Sequence, residues 1–109
     1  GRDGVRERER IGGVQFGVAS WYGPGFHGNR TANGEIYDQY ELTAAHPSLP
    51  LGTRAVVTNL SNGRAVEVRI NDRGPTQAGR ILDISTAAAQ KLGIKPTAMA
   101  EVSAGVVGK

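Results

Sequence analysis

Two runs rich in β-branched residues, TRAVVTNL (53–60) and RAVEVRI (64–70), flank Ser61-Asn62-Gly63. Asn-Gly between two such runs is the strongest short-range signal for a β-hairpin, because both residues accept the positive φ of a tight reversal. In the second run Val66, Val68 and Ile70 fall on one face, and Ala65, Glu67 and Arg69 on the other. A hairpin with one apolar face is marginal alone and must find further strands to cover it. Sixteen glycines in 109 residues, about twice ordinary usage, supply the turns that a many-stranded fold requires.

The remaining segments fit that requirement. Residues 1–13 read as a charged lead-in without apolar periodicity, and 14–109 as one domain. VQFGVASWYG reads as a strand, and GPGFHGNRTANGE as a long functional or mobile loop. A short extended piece lies within ELTAAHPSLPLG. After the hairpin come the NDRGPTQAG loop and a buried strand candidate, RILDI. Ser85 then caps a short helix that Gly93 stops. AMAEVSAGVV alternates again, with Ala100, Val102, Ala104 and Val106 on one face. Roughly six strands and one helix favour a small closed β-barrel, since closure leaves no strand edge exposed.

Charge excludes little. The net charge is +3, and the first ten residues alone carry four arginines against three acids. No basic stripe interleaved with aromatics points to nucleic acid. No run approaches the roughly eighteen apolar residues of a membrane span, and no signal peptide opens the chain. The chain starts with Gly, so a partial or processed form is expected, with any targeting segment or lipid anchor missing. Without cysteine there is neither a disulfide nor a thiolate metal site. The two histidines, His27 and His46, show no HxH or HExxH spacing for a metal.

Four carboxylates stand outside the charged surface runs: Glu35, Asp38, Asp72 and Asp83. Glu35, in the Gly-rich loop, and Asp72, at a strand exit, hold rim positions that a substrate can reach. Asp72 reads either as turn chemistry, in the run Asn-Asp-Arg-Gly-Pro, or as a general acid. Asp38 reads as a turn cap, and Asp83 as a satisfied structural carboxylate near the helix start. His46 reads as a pin for its own loop or as a group that orients a carboxylate. Trp21 is balanced between core plug and sugar platform. Arg73 is the arginine expected to clamp an acidic polymer, unless it pairs with Asp72.

Three long stretches, GVASWYGPGFHGNRTANGEIYD, LTAAHPSLPLGTRAVVTNLSNGRAVEVRINDRGP and GRILDISTAAAQKLGI, resemble the rare lipoprotein A (RlpA) domain family, in order, from Phe16 to Val107. The resemblance implies a mainly all-β fold: a six-stranded double-psi β-barrel with one or two short helices, pseudo-two-fold symmetry and a groove across one face. Expansins share that fold. The catalytic Glu, His and Asp of the family match Glu35, His46 and Asp72. Trp21, Tyr22, His27, Thr31, Asn33, Asn71 and Arg73, in the same stretches, are the expected substrate-binding residues.

The implied activity is a peptidoglycan lytic transglycosylase acting on glycan strands stripped of stem peptides and leaving 1,6-anhydro-muramyl ends. Asp72 would donate the proton, and Asp72 or Glu35 would accept one from the muramic C6 hydroxyl. His46 would position a carboxylate or a sugar hydroxyl. No metal or organic cofactor and no nucleic-acid partner is implied, and a monomer in the periplasm or at the outer membrane is expected. The alternative is a non-catalytic, expansin-like wall-binding module. Thr76 departs from the aromatic or aliphatic residue common after NDRGP, which alters one expected wall of the groove.

Overall fold

In the computed structural model, which describes residues 10–22, 28–95 and 98–107, the hairpin is the half-turn of a closed barrel. Its strands are β3 (Arg54–Asn59) and β4 (Ala65–Asp72). They pair antiparallel with Val57 opposite Val66 and Ala55 opposite Val68. The reversal is longer than Asn-Gly alone: Leu60 and Arg64 join it, and Gly63 takes the positive φ of 76°. Val57, Val68 and Ile70 are almost fully buried. Each such side chain contributes about 1.5–3 kcal/mol of apolar burial.

Four further strands complete the ring: β1 (Arg10–Trp21), β2 (Thr43–Ala45), β5 (Arg80–Ile84) and β6 (Met99–Val107). Their order around the barrel is β1-β5-β2-β4-β3-β6, closed by β1 against β6. β1 runs parallel to β5, and β2 parallel to β4; the other pairs are antiparallel. Exchanging β1, β2 and β3 with β4, β5 and β6 maps every neighbouring pair onto one of the same sense. That is the pseudo-two-fold symmetry of the double-psi barrel.

β1 begins at Arg10, four residues before the alternation at Val14. Ladder bonds to the end of β6, across a register irregularity between Arg10 and Val14, extend it there. Backbone pairing needs no apolar side chain, so periodicity could not find this stretch. Gly17 is required by close packing: a β-carbon there would stand 2.6 Å from Ile81 Cγ2.

A short helix, α1 (Thr86–Leu92), packs on the barrel core and buries Ala88, Ala89 and Leu92. Ser85 Oγ accepts the Ala88 N–H at 3.2 Å. Gly93 ends the helix in the left-handed conformation, as the sequence predicts. Asn59 and Asn62 of the hairpin donate to the Leu92 carbonyl at 2.9 and 3.0 Å, tying helix to hairpin. On β6, Val102 and Ala104 are buried and Ala100 packs against the core, as the alternation requires.

Candidate functional site

Asp72 ends β4, where the chain leaves the barrel wall. Its exit is shaped by Gly74, whose φ of 121° excludes a side chain, and by Pro75. Two backbone N–H groups donate to Asp72 Oδ1: Arg73 at 2.8 Å and Ala32 at 2.9 Å. The Tyr22 hydroxyl donates to Oδ2. Tyr22 follows β1, and its ring lies 4.6 Å from that of buried Tyr37. Burial, then the hydrogen bond to Asp72 and the charges of Asp72 and Asp83, raise the Tyr22 pKa far above its ordinary value. The phenol therefore keeps its proton and serves as a donor.

The segment that brings Ala32 to Asp72 is organised. Arg30 and Ile36 form an antiparallel bridge. Thr31 Oγ1 and the Glu35 N–H both donate to Asn33 Oδ1, at 2.6 and 3.0 Å. The turn docks on β4 through Asn33 N–H to Asn71 O at 3.3 Å. Glu35 is held from the strand side, by Arg69 at 2.6 Å and Asn71 Nδ2 at 3.2 Å. These bonds, that to Arg69 first, lower the Glu35 pKa to about 2.

His46 follows β2 and is 2% exposed. Its Nδ1 accepts from the N–H groups of Ser48 and Leu49, both at 3.0 Å, which leaves the proton on Nε2. Nε2 donates to Gln15 Oε1 at 2.9 Å. Burial, then the charge of Arg73, push its pKa below the ordinary value. The expected carboxylate partner is thus replaced by Gln15. His46 meets Asp72 through the main chain, its N–H reaching Asp72 O at 3.1 Å. Arg73 secures the same turn, donating from Nη1 to Leu49 O at 2.6 Å and His46 O at 3.1 Å. It reaches Asp72 by its backbone N–H, and no ion pair joins the two side chains among the described residues.

A groove of about 500 Å³ opens here, lined by Trp21, Tyr22, Asn29 and Arg30, with Asp72, Arg73, Arg80 and Asp83 completing it. Of the expected site residues, Trp21, Tyr22, Asp72 and Arg73 face it. Trp21 packs against the core and also lines the groove. Glu35, His46, Thr31, Asn33 and Asn71 are outside the lining and are tied into the supporting network. His27 lies outside the described residues. Thr76 is exposed and is not part of the groove wall.

Asp38 is the turn cap expected of it, accepting the Tyr40 N–H at 2.9 Å. Asp83 has the partners its structural reading expects, Ser20 and Arg80 on Oδ1, and in addition it lines the groove with Asp72. The alternation in RILDI places Asp83 opposite buried Leu82 and Ile84, and that signal could have found it. No periodicity marks Asn29 or Arg30.

Comparison with known proteins agrees with the fold and the motifs. The lytic transglycolase family model, a double-psi β-barrel, matches residues 14–107. The chain is 56% identical over 94 residues to the probable endolytic peptidoglycan transglycosylase RlpA of Synechocystis, covering 86% of this chain and 29% of that protein. It is 51% identical over 98 residues to the endolytic peptidoglycan transglycosylase RlpA of Campylobacter jejuni, covering 90% and 36%. It thus spans about a third of the length of those relatives. The solved structure of Streptomyces papain inhibitor superposes with a TM-score of 0.68 at 23% identity, over 90% of this chain and 97% of that one. That likeness concerns the fold alone. A closed barrel of the right symmetry, the three matched stretches and this family match place the chain in the RlpA lytic transglycolase family.

Proposed function

We propose that this domain is the catalytic unit of an endolytic peptidoglycan lytic transglycosylase that cuts glycan strands free of stem peptides. The observation that carries the reading is Asp72, set at the rim of a groove by two backbone N–H groups and one phenol. In its protonated form Asp72 delivers a proton to the oxygen joining muramic acid to the next sugar. The muramic C6 hydroxyl then closes on C1, its proton passing to a carboxylate, and a 1,6-anhydro end results without water.

The groove also suits the substrate. Arg30, Arg73 and Arg80 all line it. The muramic lactyl group is a free carboxylate only where no stem peptide is attached, because the peptide converts it to an amide. Among the described residues, Arg80 is paired with Asp83, while Arg30 and Arg73 hold only backbone carbonyls through Nη1. These two guanidinium groups, facing no carboxylate of their own among those residues, therefore favour stripped strands. Trp21 offers an apolar wall for a sugar face. Glu35 holds Arg69 and Asn71, and His46 holds the turn that Arg73 grips, so both act as positioning residues in this reading. The domain works as a monomer on glycan strands of the bacterial cell envelope, in the periplasm or anchored at the outer membrane, and needs no cofactor for this chemistry.

Digestion of intact and peptide-free peptidoglycan, with products read by mass spectrometry, tests the proposal. Anhydro-muramyl ends from the stripped sample, lost in Asp72→Asn, are expected. Sedimentation with glycan without new ends would make the domain a wall-binding module instead. Reducing ends would make it a hydrolase.

A further inference from the structure

The proposed chemistry needs a carboxylate to receive the C6 proton, and Glu35 is poorly placed to supply it. Its two oxygens are taken by Arg69 and Asn71, and it does not line the groove. Asp83 is placed differently. It reaches the groove from β5 while Asp72 reaches it from β4. Both of its hydrogen bonds fall on Oδ1, from Ser20 Oγ at 2.6 Å and Arg80 Nη2 at 3.1 Å. Among the described residues, Oδ2 accepts none. That oxygen lies beside the exit of β4, 3.7 Å from where a β-carbon on Gly74 would stand. A side chain at position 74 would begin in contact with that oxygen. Tyr22, bonded to Asp72, also feels the charge of Asp83. One oxygen of Asp83 is fixed, and the other is left available in the space where Asp72 works.

We propose that Asp83 is the catalytic base of the transglycosylation, accepting the proton of the muramic C6 hydroxyl on Oδ2. The inference rests on the transglycosylase reading and assigns the second half of its proton transfer. As O6 forms its bond to C1, its proton passes to Asp83. The bond from C1 to the leaving oxygen breaks with its electron pair on that oxygen, which takes the proton of Asp72. The enzyme ends with Asp72 ionised and Asp83 protonated, and exchange with solvent restores the starting state. Ser20 and Arg80 are positioning residues, holding Oδ1 so that Oδ2 keeps its direction.

The test measures anhydro-end formation on peptide-free strands across pH. With a separate base, the wild-type rate falls on the acid side as well as the alkaline side, because Asp83 must be ionised while Asp72 is protonated. A single carboxylate serving both steps needs only to start protonated, and its rate falls on the alkaline side alone. Asp83→Asn is expected to lose about 100-fold or more of turnover, to bind glycan within about twofold of wild type by co-sedimentation, and to lose the acid limb. Asp83→Ala is expected to regain at least about tenfold with added formate, as removal of a general base allows.

Two results would overturn the assignment: a wild-type profile with no acid limb, or an Asp83→Asn variant within about threefold of wild type while Asp72→Asn is inactive. In either case Asp83 is not the base, and the transglycosylase reading stands. A wild-type chain that makes no anhydro ends removes that reading and this one with it. The wild-type pH profile decides the matter even where a variant does not fold.

Discussion

Glu35 and Asp72 belong to one short stretch of structure, yet they are held in opposite ways. The turn at 31–35 docks on the end of β4 and gives each carboxylate its neighbours. Glu35 is held by side chains, above all the Arg69 guanidinium, with which it forms an ion pair. Asp72 is held by two backbone N–H groups and a phenol, with no cation on its oxygens among the described residues. A carboxylate locked to a full positive charge is a poor proton donor. One set in place by neutral donors keeps its position without that charge. Position in the motif does not separate the two residues; the chemistry of their partners does.

The sharpest break of this comparison is a pair of variants. Asp72→Asn keeps the shape and removes the proton, and turnover on peptide-free strands should fall by about 10²–10⁴. Glu35→Gln removes the charge facing Arg69, which retains Glu41 at 3.9 Å. Its turnover should stay within about tenfold of wild type. Anhydro ends counted for both under one condition check the ratio. Equal losses would erase the distinction and return Glu35 to the chemistry.

A smaller effect sharpens the same contrast. Tyr22→Phe keeps the ring against Tyr37 and deletes the hydroxyl bonded to Asp72 Oδ2. A neutral hydrogen bond contributes about 0.5–1.5 kcal/mol, so the rate should fall by up to about tenfold while glycan binding is retained. A variant with unchanged rate would show that the backbone N–H pair alone sets Asp72.

How much of this was legible beforehand follows the same division. Strands with apolar alternation (β3, β4 and β6) were visible because one face of each is buried, and α1 because Ser85 and Gly93 satisfy its ends. The start of β1 was hidden, since its first residues are held by ladder bonds to β6 and not by apolar side chains. In the site, the matched stretches named Asp72, Tyr22 and Trp21 through resemblance. The residues alone left Asp72 open between turn and acid. Residue type could not show that His46 turns its ring to Gln15, or that Arg73 spends its guanidinium on the carbonyls of His46 and Leu49. Those partners are set by contacts 24 to 31 residues apart in the chain. Asp83 was read as structural because its neighbours are a strand and a helix cap. β2 lies between β5 and β4 in the ring, so only the assembled barrel brings the two carboxylates to one groove.

The smallest expected effect concerns stability. The Glu35 carboxyl is lowered from 4.5 to about 2, first by its bond to Arg69. The unfolded chain therefore takes up this proton before the folded one as pH falls. The contribution is fully present above about pH 4.5 and is lost between there and about pH 2. Its side chain is 40% exposed, so solvent screening keeps the pair below about 1 kcal/mol. Urea unfolding of wild type and Glu35→Gln at pH 6 and pH 3 measures it, and the gap between the two proteins should narrow at the lower pH. A gap of the same size at both would mean that Arg69 gains nothing from Glu35 beyond what Glu41 supplies. The ion pair would then be a consequence of where the turn docks, and the turn itself, through Ala32 and Asn33, would be what keeps Asp72 in place.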